Sequence, residues 1–334
     1  EKVTIVGATS GDTGSAAIEA FKNSPHAHIV ILHPKGRVSD VQRRQMTTVD
    51  APNVYNVAIE GSFDDCQDIV KAMFNDLPFR DEMHLSAINS INWARILAQV
   101  VYYVYAAAKV WAETGRPATF CVPTGNFGNV YAGYIAKSMG APIDKLIIAT
   151  NANDILDRFF KTGRMEVRGV TPTISPSMDI QISSNFERLL FDLYARDGDM
   201  TAQTMQHFRS TGPFHVDEEV MQRVAGVFAS GRKDDAETTE MMRHIWRQYD
   251  MVVDPHTAVG LGVAQDWKKE HADSVLVTLA TAHPAKFPDA VKAATDIAPD
   301  LPAHLADLHT RAEKYDTLPA DAEAVKKYVR EHCT

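Results

Sequence analysis

The sequence predicts an α/β fold: two domains built on parallel sheets, one of them with a helical elaboration. Three observations carry this. Short apolar runs rich in β-branched residues alternate with helical periodicity, the pattern of buried strands joined by helical crossovers. The 334 residues suggest about two domains at roughly 150 residues each. Hydrophobic residues make up 45% and charged residues 23%, enough for a sizeable core and unlike a disordered chain.

Val3-Thr4-Ile5-Val6 reads as the first strand, followed by a Gly/Ser/Thr loop and a helix through Phe21. Ile29 to Leu32 is a second strand, with a polar helix around Val41 to Met46. Val54 to Ile59 precedes a helix from Phe63 to Phe74, in which Ile69, Val70 and Met73 share one face. His84 to Ile88 leads into a long helix ending near Trp111. Its apolar stretch, Ile96 to Trp111, is broken by Gln99 and Lys109 and is shorter than the ~20 residues of a bilayer span, so a buried soluble helix is expected. Ala118 to Val122 leads through a glycine loop into the helix Val130 to Met139, and Lys145 to Ala149 and Ser274 to Leu279 are further strands. The stretch from Ser183 to Trp246 looks wholly helical, and the tail after Pro299 reads as a polar surface helix. A domain change near Glu113 to Pro117 gives a smaller domain over 1–112 and a larger one over 113–334, with the helical insertion near 183–250.

Lys plus Arg is 34 and Asp plus Glu is 43, a net charge of −9. That balance argues against general binding to nucleic acid or to anionic membrane. Cys66, Cys121 and Cys333 are far apart, which excludes a disulfide scaffold and a cysteine zinc site and suits a reducing, cytoplasmic compartment. His26, His28 and His33 show no metal spacing.

Chemistry is expected where strands end in polar loops. Gly7-Ala8-Thr9-Ser10-Gly11-Asp12-Thr13-Gly14-Ser15 frees backbone N–H groups at a helix N-terminus and adds hydroxyls, suiting a carboxylate or phosphate. It lacks the Lys of a P-loop and the spacing of a dinucleotide fingerprint; a plain capped turn satisfies the same pattern. Pro123-Thr124-Gly125-Asn126-Phe127-Gly128-Asn129 offers a nest of N–H donors for a phosphate dianion, or a plain turn capped by Asn129. In Asn89-Ser90-Ile91-Asn92-Trp93-Ala94-Arg95, an Arg falls in the first helical turn, where cations are disfavoured unless an anion or a salt bridge is present. Thr281-Ala282-His283-Pro284-Ala285-Lys286-Phe287 and Asp254-Pro255-His256-Thr257 read as capped helix starts with Pro near the first position. Several such junctions in one α/β chain point to a ligand with two phosphates, or to a phosphorylated cofactor with a phosphorylated substrate.

Together, Ala8-Thr9-Ser10-Gly11-Asp12-Thr13-Gly14-Ser15-Ala16, Ser90-Ile91-Asn92, Gly125 to Asn129 and Thr281 to Phe287 resemble the longer, bacterial and fungal branch of the threonine synthases, in order and spacing along nearly the whole chain. The resemblance implies a tryptophan-synthase-β-like fold (fold type II), pyridoxal 5'-phosphate as cofactor, and conversion of O-phospho-L-homoserine and water to L-threonine and phosphate. It implies that Gly125, Asn126, Phe127, Gly128 and Asn129 hold the cofactor phosphate and that Thr281 faces the pyridine nitrogen. Thr9, Ser10, Asp12 and Thr13 would hold the substrate carboxylate, and Asn89, Ser90 and Arg95, with Thr13, the substrate phosphate. Many relatives of this fold type have Asn where this chain has Asp12. The lysine that bonds the cofactor in this family precedes the Ser-Gly-Asp-Thr-Gly motif, so it is expected upstream of Glu1 and this chain is expected to be an inactive fragment. Other readings are a related lyase such as an amino-acid dehydratase, against which Ser90 and Arg95 argue, and a non-catalytic relative that binds phosphorylated ligands.

Overall fold

The computed structural model describes residues 2–9, 11–89, 92–210 and 212–333. It divides into two compact units, one of Glu1–Asn89 with Asp300–Thr334 and one of Ser90–Pro299. The first begins with β1 (Val3–Ala8), α1 (Asp12–Phe21), β2 (Ala27–Pro34), α2 (Asp40–Thr47), β3 (Val54–Glu60), α3 (Phe63–Asn75), α4 (Leu77–Glu82) and β4 (Leu85–Ala87). Every residue of β2 is buried, as a central strand of a parallel sheet covered on both faces must be. Helix α3 starts at a capping box in which Ser62 and Asp65 each accept the other's backbone N–H.

The second unit holds α5 (Trp93–Thr114), β5 (Ala118–Pro123), α6 (Gly128–Ser138), β6 (Ile143–Thr150), α7 (Ile155–Thr162), β7 (Arg164–Met165), α8 (Phe186–Leu193), α9 (Gly198–Ser210), β8 (Phe214–His215), α10 (Glu218–Val227), β9 (Phe228–Arg232), α11 (Asp235–Tyr249), α12 (Pro255–Glu270), β10 (Val275–Thr278) and α13 (Pro288–Thr295). Its main sheet is parallel, in the order β10-β5-β6-β9, and β7 pairs with β8. The expected all-helical stretch over 183–246 therefore contains a sheet strand, β9, which pairs with β6. Helix α5 is not buried all round. Ile96, Val100, Tyr103 and Ala107 enter a core with Phe120, Val130 and Phe159, while Leu97, Val101 and Tyr105 on the opposite side are exposed. That buried stripe is why α5 belongs to the second unit and the division falls after Asn89, not near residue 113.

The tail also departs from expectation. After Asp300 the chain rejoins the first unit, where β11 (Asp316–Pro319) lies parallel to β3 and completes the sheet β11-β3-β2-β1-β4. Helix α14 (Ala322–His332) then buries Val325, Tyr328 and Val329 beside Val57, Ile59 and Phe79. It is an amphipathic helix with one face in the core.

Candidate active site

In the first unit, two of the expected junctions leave neighbouring parallel strands at the same end, one after β1 and one after β4. The approach is tight at Gly7, where a Cβ would lie 2.8 Å from Ile88 Cγ2. Thr9 is buried, and its Oγ1 accepts the N–H groups of Gly11 (3.0 Å) and Gly14 (2.9 Å). The hydroxyl therefore shapes the turn itself. Gly11 has φ +146°, and α1 starts there with no side-chain cap. Asp12 Oδ1 accepts Gln42 Nε2–H at 3.0 Å, so α2 steadies the carboxylate. Thr13 follows on α1, and Asn89 follows β4. Ser10 and Ser90 lie outside the described residues.

In the second unit, the carbonyls of the loop after β5 are drawn to one side. Gly125 O accepts Ser183 Oγ–H at 2.8 Å; Asn126 O accepts Asn185 N–H at 3.1 Å and Asn185 Nδ2–H at 3.0 Å. In a trans peptide the N–H points away from the carbonyl, so these bonds turn the N–H groups of Asn126 and Phe127 to the other side. Phe127 has φ +63° and starts α6 without a side-chain cap. Left-handed then helical residues make a backbone nest, joined here to the positive end of an 11-residue helix. The strain at Phe127 is held by its ring, which is 1% exposed, stacked on Phe160 and edge-on to Phe186. Gly125 is required because a Cβ there would lie 2.5 Å from Ser177 O. Asn129 does not cap the helix: its Oδ1 accepts the Tyr103 hydroxyl at 2.8 Å. Thr124 Oγ1 donates to Val122 O at 2.6 Å, so it belongs to the strand end and not to the donor set.

Strand β10 lies beside β5, and Leu279 N–H donates to Cys121 O at 3.0 Å before the chain leaves the sheet. Thr281 thus emerges at the same end of the sheet as the Gly125 loop, with its side chain exposed. His283 caps the turn Pro284–Lys286, its Nδ1 accepting Ala285 N–H at 3.2 Å. Arg95 stands in the first turn of α5, behind the Asn92 cap. Burial holds its guanidinium below the ordinary value, and it stays cationic at neutral pH. The sequence missed the groups that hold these loops in place. Ser183 and Asn185 read only as part of a helical stretch, and Asp254 and His256 read only as a cap.

An uncapped helix start, carbonyls drawn away and no room for a Cβ fit the phosphate of a bound cofactor. Residues 1–211 match the profile of the family described as pyridoxal-phosphate dependent enzyme. The fold is accordingly that of a fold type II pyridoxal-phosphate enzyme. Residues 257–329 match the profile described as threonine synthase, C-terminal. The threonine synthase of Pseudomonas aeruginosa is 49% identical over 333 residues, covering 99% of this chain and 71% of that protein. The pyridoxal-phosphate-bound threonine synthase structure from Brucella melitensis superposes with a TM-score of 0.93 at 52% identity, covering 100% of this chain and 71% of that one. The yeast threonine synthase structure gives 0.91 at 42% identity, covering 99% and 70%. The chain belongs to the threonine synthase family, lyases that use pyridoxal phosphate and act on a small-molecule substrate.

Proposed function

We propose that the chain serves the conversion of O-phospho-L-homoserine and water to L-threonine and phosphate. The observation that carries this is the Gly125–Asn129 cradle, whose backbone geometry suits a phosphate dianion, in a chain of this family. Gly125, Asn126, Phe127, Gly128 and Asn129 hold the cofactor phosphate, Phe127 through its backbone and Asn129 steadied by Tyr103. Thr281 faces the pyridine nitrogen. Pyridoxal phosphate, when bound, supplies the electron sink that lets protons leave the carbons of the substrate. Arg95, in the first turn of α5, binds the substrate phosphate and orients it as the leaving group. The Thr9–Thr13 turn takes the carboxylate on backbone N–H groups, with Thr9 and Asp12 shaping the turn. No catalytic lysine is assigned within residues 1–334. Among the described residues no helix is long and apolar enough to cross a membrane, and no group of His, Cys, Asp and Glu is arranged to hold a metal. A reducing, cytoplasmic setting is supported by three free, buried cysteines.

Arg95→Ala tests the substrate assignment. A charged hydrogen bond is worth about 1.5–3 kcal/mol, so calorimetric affinity for O-phospho-L-homoserine should fall roughly 10–150-fold while pyridoxal phosphate binding holds. Equal affinity in both proteins would refute the assignment. Borohydride reduction with pyridoxal phosphate, followed by mapping, should label no single lysine of residues 1–334; a specific pyridoxyl-lysine would identify the residue that bonds the cofactor.

A further inference from the structure

Asp254, His256 and Thr257 open α12 and are 1%, 4% and 5% exposed. As a cap, Asp254 Oδ1 accepts His256 N–H at 2.9 Å, and Asp254 also receives Thr257 N–H. The side chains do more than a cap requires. His256 Nδ1 lies 2.9 Å from Asp254 Oδ1, and because Nε2 accepts a backbone N–H, the ring proton sits on Nδ1 and is donated to that oxygen. That Nε2 accepts the backbone N–H of Ser177, 79 residues away, at 3.2 Å. The Ser177 carbonyl is the group that fills the space where a Gly125 Cβ would be. On the other side, Thr257 Oγ1 donates its proton to Asp254 Oδ2 and accepts Thr281 N–H at 3.2 Å. The turn bearing Ser177 is also held from β6, because Asn151 Nδ2 donates to Ser175 Oγ (3.0 Å) and to Asp179 Oδ1 (2.7 Å).

We propose that Asp254, His256 and Thr257 form a buried positioning hub for the cofactor, with His256 setting the Gly125 loop through Ser177 and Thr257 setting Thr281. This rests on the assignment of Gly125–Asn129 and Thr281 to pyridoxal phosphate. The three residues touch no reacting atom. They set the separation between a phosphate cradle and a ring contact that leave adjacent strands, and a rigid cofactor needs that separation constant. The single carboxylate of Asp254 orients both arms, fixing the His256 tautomer and the direction of the Thr257 hydroxyl.

The two arms can be cut separately. His256→Asn keeps a donor for Asp254 but is too short to accept from Ser177. His256→Gln places an oxygen near the position of Nε2. Thr257→Val removes the acceptor for Thr281, and Thr257→Ser restores it. Amide hydrogen exchange on the full chain without ligand is the first readout. His256→Asn should raise exchange at Ser177 about fivefold with Thr281 unmoved, and Thr257→Val the reverse. His256→Gln and Thr257→Ser should each restore most of the protection. The second readout is affinity for pyridoxal phosphate by fluorescence titration, expected to fall about fivefold in His256→Asn and in Thr257→Val. Exchange raised throughout the second unit in both variants, with no site-by-site pattern, would overturn the hub. So would the expected exchange pattern with unchanged affinity, given a Gly125→Ala control that weakens binding about tenfold or more. If Gly125→Ala binds pyridoxal phosphate as well as the parent does, the site assignment itself fails and the proposed link to the cofactor fails with it.

Discussion

Thr9 and Thr257 show how a hydroxyl read as a ligand or as a cap becomes a structural hinge. Thr9 accepts two backbone N–H groups of its own turn, and Thr257 accepts one from the loop after β10. The acidic residues of the first unit act in the same way, and their effect can be read from pH. Glu313 accepts Arg43 Nε–H at 2.8 Å and Arg43 Nη2–H at 3.0 Å, with the Thr47 hydroxyl at 2.7 Å, and these bonds hold its carboxyl down at about 2 against an ordinary 4.5. His33 is buried, its Nδ1 has no hydrogen-bond partner among the described residues, and burial with the nearby Arg43 pushes it down to about 4 from 6.5. Both folded values lie below the unfolded ones, so the unfolded chain binds more protons as the pH falls. The contribution of His33 is fully present above pH 6.5 and is lost towards pH 4; that of Glu313 is present above 4.5 and is lost towards 2. Urea unfolding against pH should therefore show His33→Phe flattening only the upper window. Glu313→Gln should flatten the lower one and cost roughly 1–3 kcal/mol at neutral pH. If Glu313→Gln altered the upper window alone, the two assignments would be exchanged. At this scale the sequence exposed the polar strand-to-helix junctions, because Gly, Asn, Ser and Thr after an apolar strand mark them. It hid His256, because its partner Ser177 is distant in the chain and Asp-Pro-His-Thr already makes sense as a cap.

Elements meet where side chains are small, and α6 shows the consequence. A Cβ on Gly133 would lie 2.6 Å from Tyr103 Cε1 and 2.8 Å from Leu146 Cδ2, so α5 and β6 both press on this position. Gly133→Ala gains about 1 kcal/mol of helix propensity but overpacks a core at a cost of roughly 1–3 kcal/mol. A net loss of about 1 kcal/mol in chemical denaturation is expected, together with weaker pyridoxal phosphate binding, since Tyr103 also holds Asn129. Gly226, near the end of α10, has nothing within 4 Å of the added carbon, and Gly226→Ala should be neutral or stabilise by roughly 0.5 kcal/mol. A stabilised Gly133→Ala would show that the contact yields freely. The legible elements were those with long apolar runs or clear helical periodicity: β1, β2, β3, β5, β6, α3 and α6 all fall where the pattern puts them. Strand β9 escaped because Phe-Ala-Ser-Gly-Arg has one large apolar residue and lies between helices; only pairing with β6 makes it a strand. Strand β11 escaped because Asp-Thr-Leu-Pro is short, mostly exposed and ends in Pro, which suits only a sheet edge.

For the whole molecule, the balance of charge against exposed apolar surface decides how it behaves in solution. On α5, Leu97, Val101 and Tyr105 are 52%, 63% and 69% exposed and follow one another at i, i+4, with Tyr102 and Val104 beside them. The periodicity of this helix is apolar nearly all round, which is why the sequence suggested a buried element. Among the described residues nothing covers this side, and a contiguous apolar patch on a folded chain favours association. The net charge of −9 opposes it by mutual repulsion. The Debye length shrinks from about 10 Å at 0.1 M salt to about 3 Å at 1 M, so added salt should remove that opposition and strengthen association. Sedimentation velocity is expected to show assembly that grows with protein concentration and with salt. Val101→Glu with Tyr105→Glu should abolish most of it and reduce the binding of a hydrophobic dye. Because the parent side chains are exposed, this pair should leave unfolding stability within about 0.5 kcal/mol per site. A larger loss of stability, or association that weakens as salt is added, would mean that charge pairing and not this apolar face holds the copies together.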